Sequence, residues 1–256
     1  MTQWSSDEKW NNGENRTIEP EEGEDPKDAR FVAKQLGGPF KILGNGIAEF
    51  NGKGRFYVFK EDEESALDKK TEFLWKPDLE VSCDIRVDEI VTSGTAFINV
   101  GGCTNHFAPV NRNSNGRNYS IRALFSRGFV GYEKETIHHV YNDEAAQNFE
   151  QDVLPRSTWF TYKFIQKVVD DRNMKLEGSI DGKLFGSHND KGRMTEPDDD
   201  EEELLRKVIR NRDRGALHGK MTRMRQVWTI GAYSGLYIRL TGTKKGAIRN
   251  LTVKEV

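Results

Sequence analysis

The chain has 256 residues, 35% of them hydrophobic and 31% charged, with a net charge of −2 and a mean hydropathy of −0.76. That length suits one large β domain or two small ones with a sizeable core. The near-neutral charge, with no basic stripe and interleaved aromatics, speaks against nucleic acid, and no apolar run approaches membrane length. Charge is unevenly placed: residues 1–29 hold nine acids and three bases, a net −6 that leaves +4 for 30–256. Apart from Trp4, Trp10 and Ile18 this stretch has few apolar residues, so its composition predicts a flexible acidic arm. The opening "MTQWSSDEKW" lacks the positive and apolar regions of a signal peptide, an expectation that fits a cytoplasmic protein or a subunit of a virion or surface assembly.

From residue 30 the pattern is β. "GIAEFNGKGRFYVF" (46–59) sets the turn signal "NGKG" between two apolar-aromatic runs and predicts a hairpin. "LEVSCDIRV" (79–87) alternates Leu79, Val81, Cys83, Ile85 and Val87 with polar residues, the period of a half-buried strand. "TAFINVGG" (95–102) follows at hairpin distance. "YSIRALF" (119–125) puts Tyr119, Ile121, Ala123 and Phe125 on one face and Ser120, Arg122 and Leu124 on the other, and "GFVGYEKETIHHV" (128–140) comes next after "SRG". "WFTYKFIQKVV" (159–169) and "MKLEGSIDGKLF" (174–185) form a further strand pair, with "DG" as a tight turn. "VWTIGAYSGLYIRL" (227–240) and "GAIRNLTVKEV" (246–256) end the chain. Many short strands at regular spacing predict an all-β antiparallel sandwich or jelly roll.

One stretch breaks this rhythm. "MTEPDDDEEELLRKVIRNRDRG" (194–215) predicts a helix, with Thr195 and Asp198 in capping-box spacing, acids first and bases last. Residues 188–226 therefore read as a charged helical insertion, packed by its narrow Leu204, Leu205, Val208 and Ile209 stripe or used to grip a partner. The two cysteines, Cys83 and Cys103, have no metal-type spacing. They read as two reduced thiols, with a cross-strand disulfide open if 79–87 and 95–102 form a hairpin.

The segment "LPRSTWFTYKFIQKVVDDRNMKLEGSIDGKLF" and the ending "YSGLYIRLTGTKKGAIRNLTVKEV" resemble the recurring strands of concanavalin A-like domains, including the laminin-G-like and 3-keto-disaccharide-hydrolase-like branches. "LEVSCDIRV" holds the place of an early strand in that superfamily. The resemblance covers roughly 30–256. It implies a sandwich with one concave sheet across which sugars lie, in a superfamily of lectins, hydrolases, lyases and adhesion modules. The two-carboxylate hydrolase pattern "E-x-D-x-x-E" occurs on none of the predicted strands; the nearest acidic string, "DDDEEE", sits on the predicted helix.

The candidate site lies in the window 101–139 and the strand that leads into it. If Ala96, Ile98 and Val100 face the core, Asn99 faces the groove, and Gly101 and Gly102 allow a bulge that turns Asn105 and His106 toward it. Arg122, Lys134, Glu135 and His138 on the next strands complete a predicted ligand-binding set. Arg122 reads either as an ion-pair partner of Glu133 or Glu135, or as a fork for a carboxylate or sulfate. His106 reads as a carbonyl-bonded loop histidine, a ligand contact or catalytic group, or a metal ligand. Were the protein a polysaccharide lyase, Asn105 or Arg122 would neutralise the uronate, His106 would be the base, and Tyr119 or Tyr132 the acid. The expected function is non-catalytic recognition of a glycan, with acidic polysaccharides favoured. The alternatives are a lyase or glycoside hydrolase on the same face, and a structural subunit that self-associates through 1–29 or 194–215. Calcium near Asp143 or Asp170 is the cofactor expectation, following the superfamily.

Overall fold

A computed structural model of the chain describes residues 3–21, 23–59, 75, 78–91, 96–104, 117–125, 129–137, 140–141, 148–150, 154–170, 173–190 and 235–256. In chain order these form β1 (Gln3–Ser5), α1 (Ser6–Lys9), β2 (Arg16–Ile18), β3 (Glu24–Asp25), β4 (Asp28–Lys34), β5 (Phe40–Ile42) and β6 (Ile47–Asn51). Next come β7 (Gly54–Val58), β8 (Leu79–Ile90), β9 (Phe97–Thr104), β10 (Arg117–Leu124), β11 (Phe129–Ile137), β12 (Val140–Tyr141) and β13 (Asn148–Glu150). The chain ends with β14 (Phe160–Val168), β15 (Met174–Ile180), β16 (Lys183–Asp190), β17 (Gly235–Thr241) and β18 (Thr243–Glu255).

The strands build two sheets, and every pairing among the described residues is antiparallel. The first sheet runs β16-β15-β14-β8-β18-β6-β5-β2, with β1 added to β18; the second runs β12-β11-β10-β9-β17-β7-β4-β3, with β13 added to β11. This is the expected antiparallel β-sandwich. The period-two runs explain it. On β8, Leu79, Val81, Cys83, Ile85 and Val87 are fully buried while their neighbours are half-exposed, so the strand turns one whole face to the core. The "DG" turn between β15 and β16 has Asp181 and Gly182 at φ 49° and 76°, the pair of positive values that a tight hairpin needs. Mid-sandwich, a side chain at Gly178 of β15 would run into Ile121 of the facing sheet, so glycine lets the two layers close there.

Four expectations change. The "NGKG" segment does not close a hairpin: β6 lies in the first sheet and β7 in the second, so the chain crosses the sandwich there. Gly52, at φ 90°, makes the corner with its N–H donating to the Lys244 carbonyl at 2.6 Å. Likewise β8 and β9 fall in opposite sheets, and Cys83 is a free, buried thiol whose pKa burial pushes up. No bulge interrupts β9 at Gly101 and Gly102, because its register with β10 is unbroken from Phe97 to Thr104.

The fourth change concerns the N-terminus. Residues 3–21 and 23–29 are not a flexible arm but part of both sheets. Trp4 and Trp10 are buried, with Trp10 edge-on to Trp4 at 5.8 Å and to Phe31 at 5.1 Å. β1 pairs with the end of β18, and the Leu251 N–H, beside the register shift between Arg249 and Thr252, donates to Ser6 Oγ at 2.9 Å. Net charge was a poor guide because a few anchors decide burial, and because acids such as Asp25 have a partner: Arg16 binds it in a fork at 2.6 and 2.7 Å. The predicted helix at 194–215 lies outside the described residues, as do 191–234 generally. Among the described residues, no helix is long and apolar enough to cross a membrane.

Candidate functional site

The outer face of the second sheet is set by strand register. Ile98 and Val100 on β9, Ile121 and Ala123 on β10, and Ile238 and Leu240 on β17 fill the core. The residues between them therefore point outward. One row across the strands is Arg122, Asn99, Arg239, Arg55 and Lys34, each paired in register with the next through β10, β9, β17, β7 and β4. Its four cations are half-buried, whereas Asn99 is 1% exposed. The strands are about 4.8 Å apart, so Arg239, Arg55 and Lys34 follow one another at single-strand spacing, with Arg122 beyond Asn99.

At one end of the row sits a closed polar network. The Asn99 amide donates to Glu133 Oε2 at 2.6 Å, and Arg122 Nη2 donates to Glu133 Oε1 at 2.5 Å. Arg122 Nε donates to Asn99 Oδ1 at 3.1 Å, and Ser120 Oγ reaches Glu133 Oε2 at 3.5 Å. Glu133 is thus a buried carboxylate with a paired cation, the arrangement that makes burial of charge affordable. Beside the network, Phe97 carries two guanidinium groups near its ring, Arg122 at 4.4 Å and Arg239 at 5.3 Å from the centroid. Both arginines flank Asn99 in register, which brings them diagonally onto the same phenyl ring.

Of the predicted site residues, the structure brings Asn99 and Arg122 together, and it joins Arg122 to Glu133 as one of the two readings of that arginine allows. Tyr119 goes elsewhere: it is fully buried on the core side of β10, opposite the face that carries Arg122. Tyr132 is also on the core side, its hydroxyl bonded to the Gly178 backbone and its pKa pushed up by burial to about 12. Lys134 and Glu135 pair in register with Tyr119 and Asn118, and their side chains lie outside the described residues. Asn105, His106 and His138 lie outside them too, as does Asp143. Asp170 accepts from the Asn173 N–H and side-chain amide at 2.9 and 2.6 Å, and no group of three His, Cys, Asp or Glu suited to a metal occurs among the described residues.

Sequence reading missed Phe97, Arg239 and Arg55. The signal for the arginines was present. In "YIRL" and "GRFYV" each arginine alternates with core residues, Ile238 and Leu240 or Phe56 and Val58, as Arg122 does in "YSIRALF".

The outer face of the first sheet is different in kind. Glu80 sits between Lys163 and Lys254 at 3.1 and 3.0 Å, Asp84 pairs with Arg249 at 3.1 Å, and Arg86 pairs with Asp88 at 3.0 Å. Burial raises the Glu80 pKa, but the two ammonium groups outweigh it and hold the carboxyl below its ordinary value. Such charge-matched ladders make a solvated face, with each pair contributing little. The second sheet's row instead aligns four cations, one of which, Arg122, is bonded to the Glu133 carboxylate.

Gly101 fixes how closely β9 and β10 meet under this site. A side chain there would strike the Tyr119 carbonyl oxygen and come within 2.6 Å of Ser120 Cα. Gly101→Ala is expected to cost about 1–3 kcal/mol, since the obstacle is backbone that cannot turn aside. Urea unfolding checks this, and an unchanged midpoint overturns it.

No protein-family model matches the chain, and no curated protein matches it. Several solved structures resemble it. They include a native glycosidic hydrolase at 8% identity and TM-score 0.47, covering 94% of this chain and 95% of that one. The alginate lyase vAL-1 from Chlorella virus has 8% identity and TM-score 0.45, with 89% and 90% covered. The basic winged bean lectin with Tn-antigen has 7% identity and TM-score 0.46, with 94% and 98% covered. The sandwich assignment itself stands on the strand pairing described above.

Proposed function

We propose that this protein is a non-catalytic, concanavalin-like sandwich that recognises an acidic carbohydrate across the outer face of its second sheet. One observation carries the reading: Arg122, Arg239, Arg55 and Lys34 share a single row across that face, with two of the guanidinium groups set on Phe97. A guanidinium is a planar fork that suits carboxylate and sulfate, and a cation held on an aromatic ring is oriented before a ligand arrives. Spaced cations select repeating negative charge over neutral sugar. The alternative lyase reading needs a hydroxyl acid on this face. Tyr119 and Tyr132, the two acids that reading names, are both turned to the core.

Calorimetry with alginate, heparin and hyaluronan oligosaccharides against neutral dextran tests this. Acidic ligands are expected to bind, and more weakly as salt rises. Arg239→Ala is the cleaner variant, because removing Arg122 would also strand the Glu133 carboxylate. Loss of one charge-assisted contact of about 1.5–3 kcal/mol corresponds to roughly 10–150-fold weaker binding. Dextran binding equal to that of the acidic ligands, or no binding by the wild type, sinks the proposal.

A further inference from the structure

We infer that Asn99 is a positioning residue for Arg122 and does not touch the ligand; this rests on the binding function proposed above. Asn99 sits between Arg122 and Arg239 in the row but is 1% exposed, so an outward-facing residue between two of its cations is closed to solvent. Its amide is used at both ends. Oδ1 accepts from Arg122 Nε at 3.1 Å, while Nδ2 donates to Glu133 Oε2 at 2.6 Å, and Glu133 in turn holds Arg122 Nη2. The three side chains form a ring of hydrogen bonds in which each fixes the other two. Arg122 is 31% exposed and the outermost of the three. It lies 4.4 Å from the Phe97 centroid, so the ring of bonds sets which edge of the guanidinium faces outward.

The chemistry explains why an amide fits this position. A carboxylate at 99 would accept from Arg122 but repel Glu133, and a lysine would satisfy Glu133 but leave Arg122 Nε without an acceptor. Asparagine offers an acceptor oxygen on one side of a rigid plane and an NH2 donor group on the other. Buried, it holds a long side chain that would otherwise lose rotamer freedom on binding, so the entropy of ordering Arg122 is spent during folding and not at the ligand. Arg239, the second guanidinium on Phe97, pairs in register with the same Asn99 from the other side. One buried amide therefore lies between the two guanidinium groups that share Phe97.

Two measurements test this. In the unliganded protein, nitrogen-15 NMR of the Arg122 side chain should show hindered guanidinium rotation and a slowly exchanging Nε–H, and Asn99→Ala should accelerate both at least threefold. An Arg122 signal unmoved by Asn99→Ala overturns the assignment without any ligand. The second is a double-mutant cycle for binding of an alginate or heparin oligosaccharide. If Asn99 acts through Arg122, Asn99→Ala weakens binding severalfold, and the double variant Asn99→Ala/Arg122→Ala loses no more than Arg122→Ala alone. Losses that multiply would mean that Asn99 meets the ligand itself, and would overturn the assignment while leaving the proposed function intact. A wild type that binds neither oligosaccharide overturns both. If Asn99→Ala does not fold, Asn99→Ser carries the same cycle, since its shorter hydroxyl cannot hold both partners at once.

Discussion

Removal of residues 1–18 is expected to yield a chain that no longer unfolds in one cooperative transition. The acidic composition of this stretch suggests that it could be cut away, yet the fold has been built around it. Trp4 and Trp10 join Phe31, Phe40 and Phe56 in one aromatic cluster, with ring centroids 4.8–6.3 Å apart. Truncating a buried Trp to Ala typically costs about 3–5 kcal/mol. A domain has about 5–15 kcal/mol in all, so losing two tryptophans and Ile18 uses most of it. Two edges would be opened as well. β1 covers the end of β18, and β2 covers β5, leaving unpaired strand backbone that invites aggregation. Trp10→Ala alone should lower the unfolding free energy by about 3–5 kcal/mol. Circular dichroism melts of the truncated and Trp10→Ala chains decide the matter. A truncated chain that melts cooperatively at the wild-type temperature would show that the segment is dispensable.

How much of this could be read beforehand depended on what kind of information each feature uses. Strand existence was legible because period-two burial is local: β8 up to Val87 and β15 follow the alternation in the sequence residue by residue. Strand partnership was not. "NGKG" has the right residues for a hairpin, but Ile47–Asn51 pairs with β5 and β18 while Gly54–Val58 pairs with β4 and β17. Nothing within fourteen residues of sequence states that the chain crosses the sandwich there. The same limit applies to the site. Arg122 stood out because it interrupts an apolar strand, and Glu133 could be named as its partner. Arg239 comes from a strand more than a hundred residues later, and only register brings it beside Asn99. Buried polar function was the least legible. Asn99 reads as a groove contact from alternation alone, whereas its near-complete burial follows from neighbours on two other strands.

The pair Arg16–Asp25 gives the second large effect, and its size depends on whether one partner is removed or both are replaced. The two side chains are 6% and 0% exposed. Arg16 belongs to β2 at the edge of the first sheet and Asp25 to β3 at the edge of the second, so the pair joins the sheets along one open side of the sandwich. Asp25 accepts Arg16 Nε at 2.6 Å and Nη2 at 2.7 Å, and also the Lys27 N–H at 3.0 Å; Arg16 Nη2 further donates to the Lys9 carbonyl at 3.0 Å. Asp25→Ala leaves a guanidinium in a dry site with one carbonyl for company, and is expected to cost about 3–5 kcal/mol. Asp25→Asn keeps the shape but not the charge and should fall between that variant and the wild type. The pair as a unit is another matter, because desolvating two charges offsets most of their attraction. Arg16→Met/Asp25→Leu is therefore expected to be much less destabilised than Asp25→Ala, and a urea-denaturation cycle should return a coupling energy of several kcal/mol between the two sites. Because the charges are buried, added salt should leave that coupling nearly unchanged. Single losses that simply add in the double variant would mean that the fork contributes shape to this edge and not charge pairing.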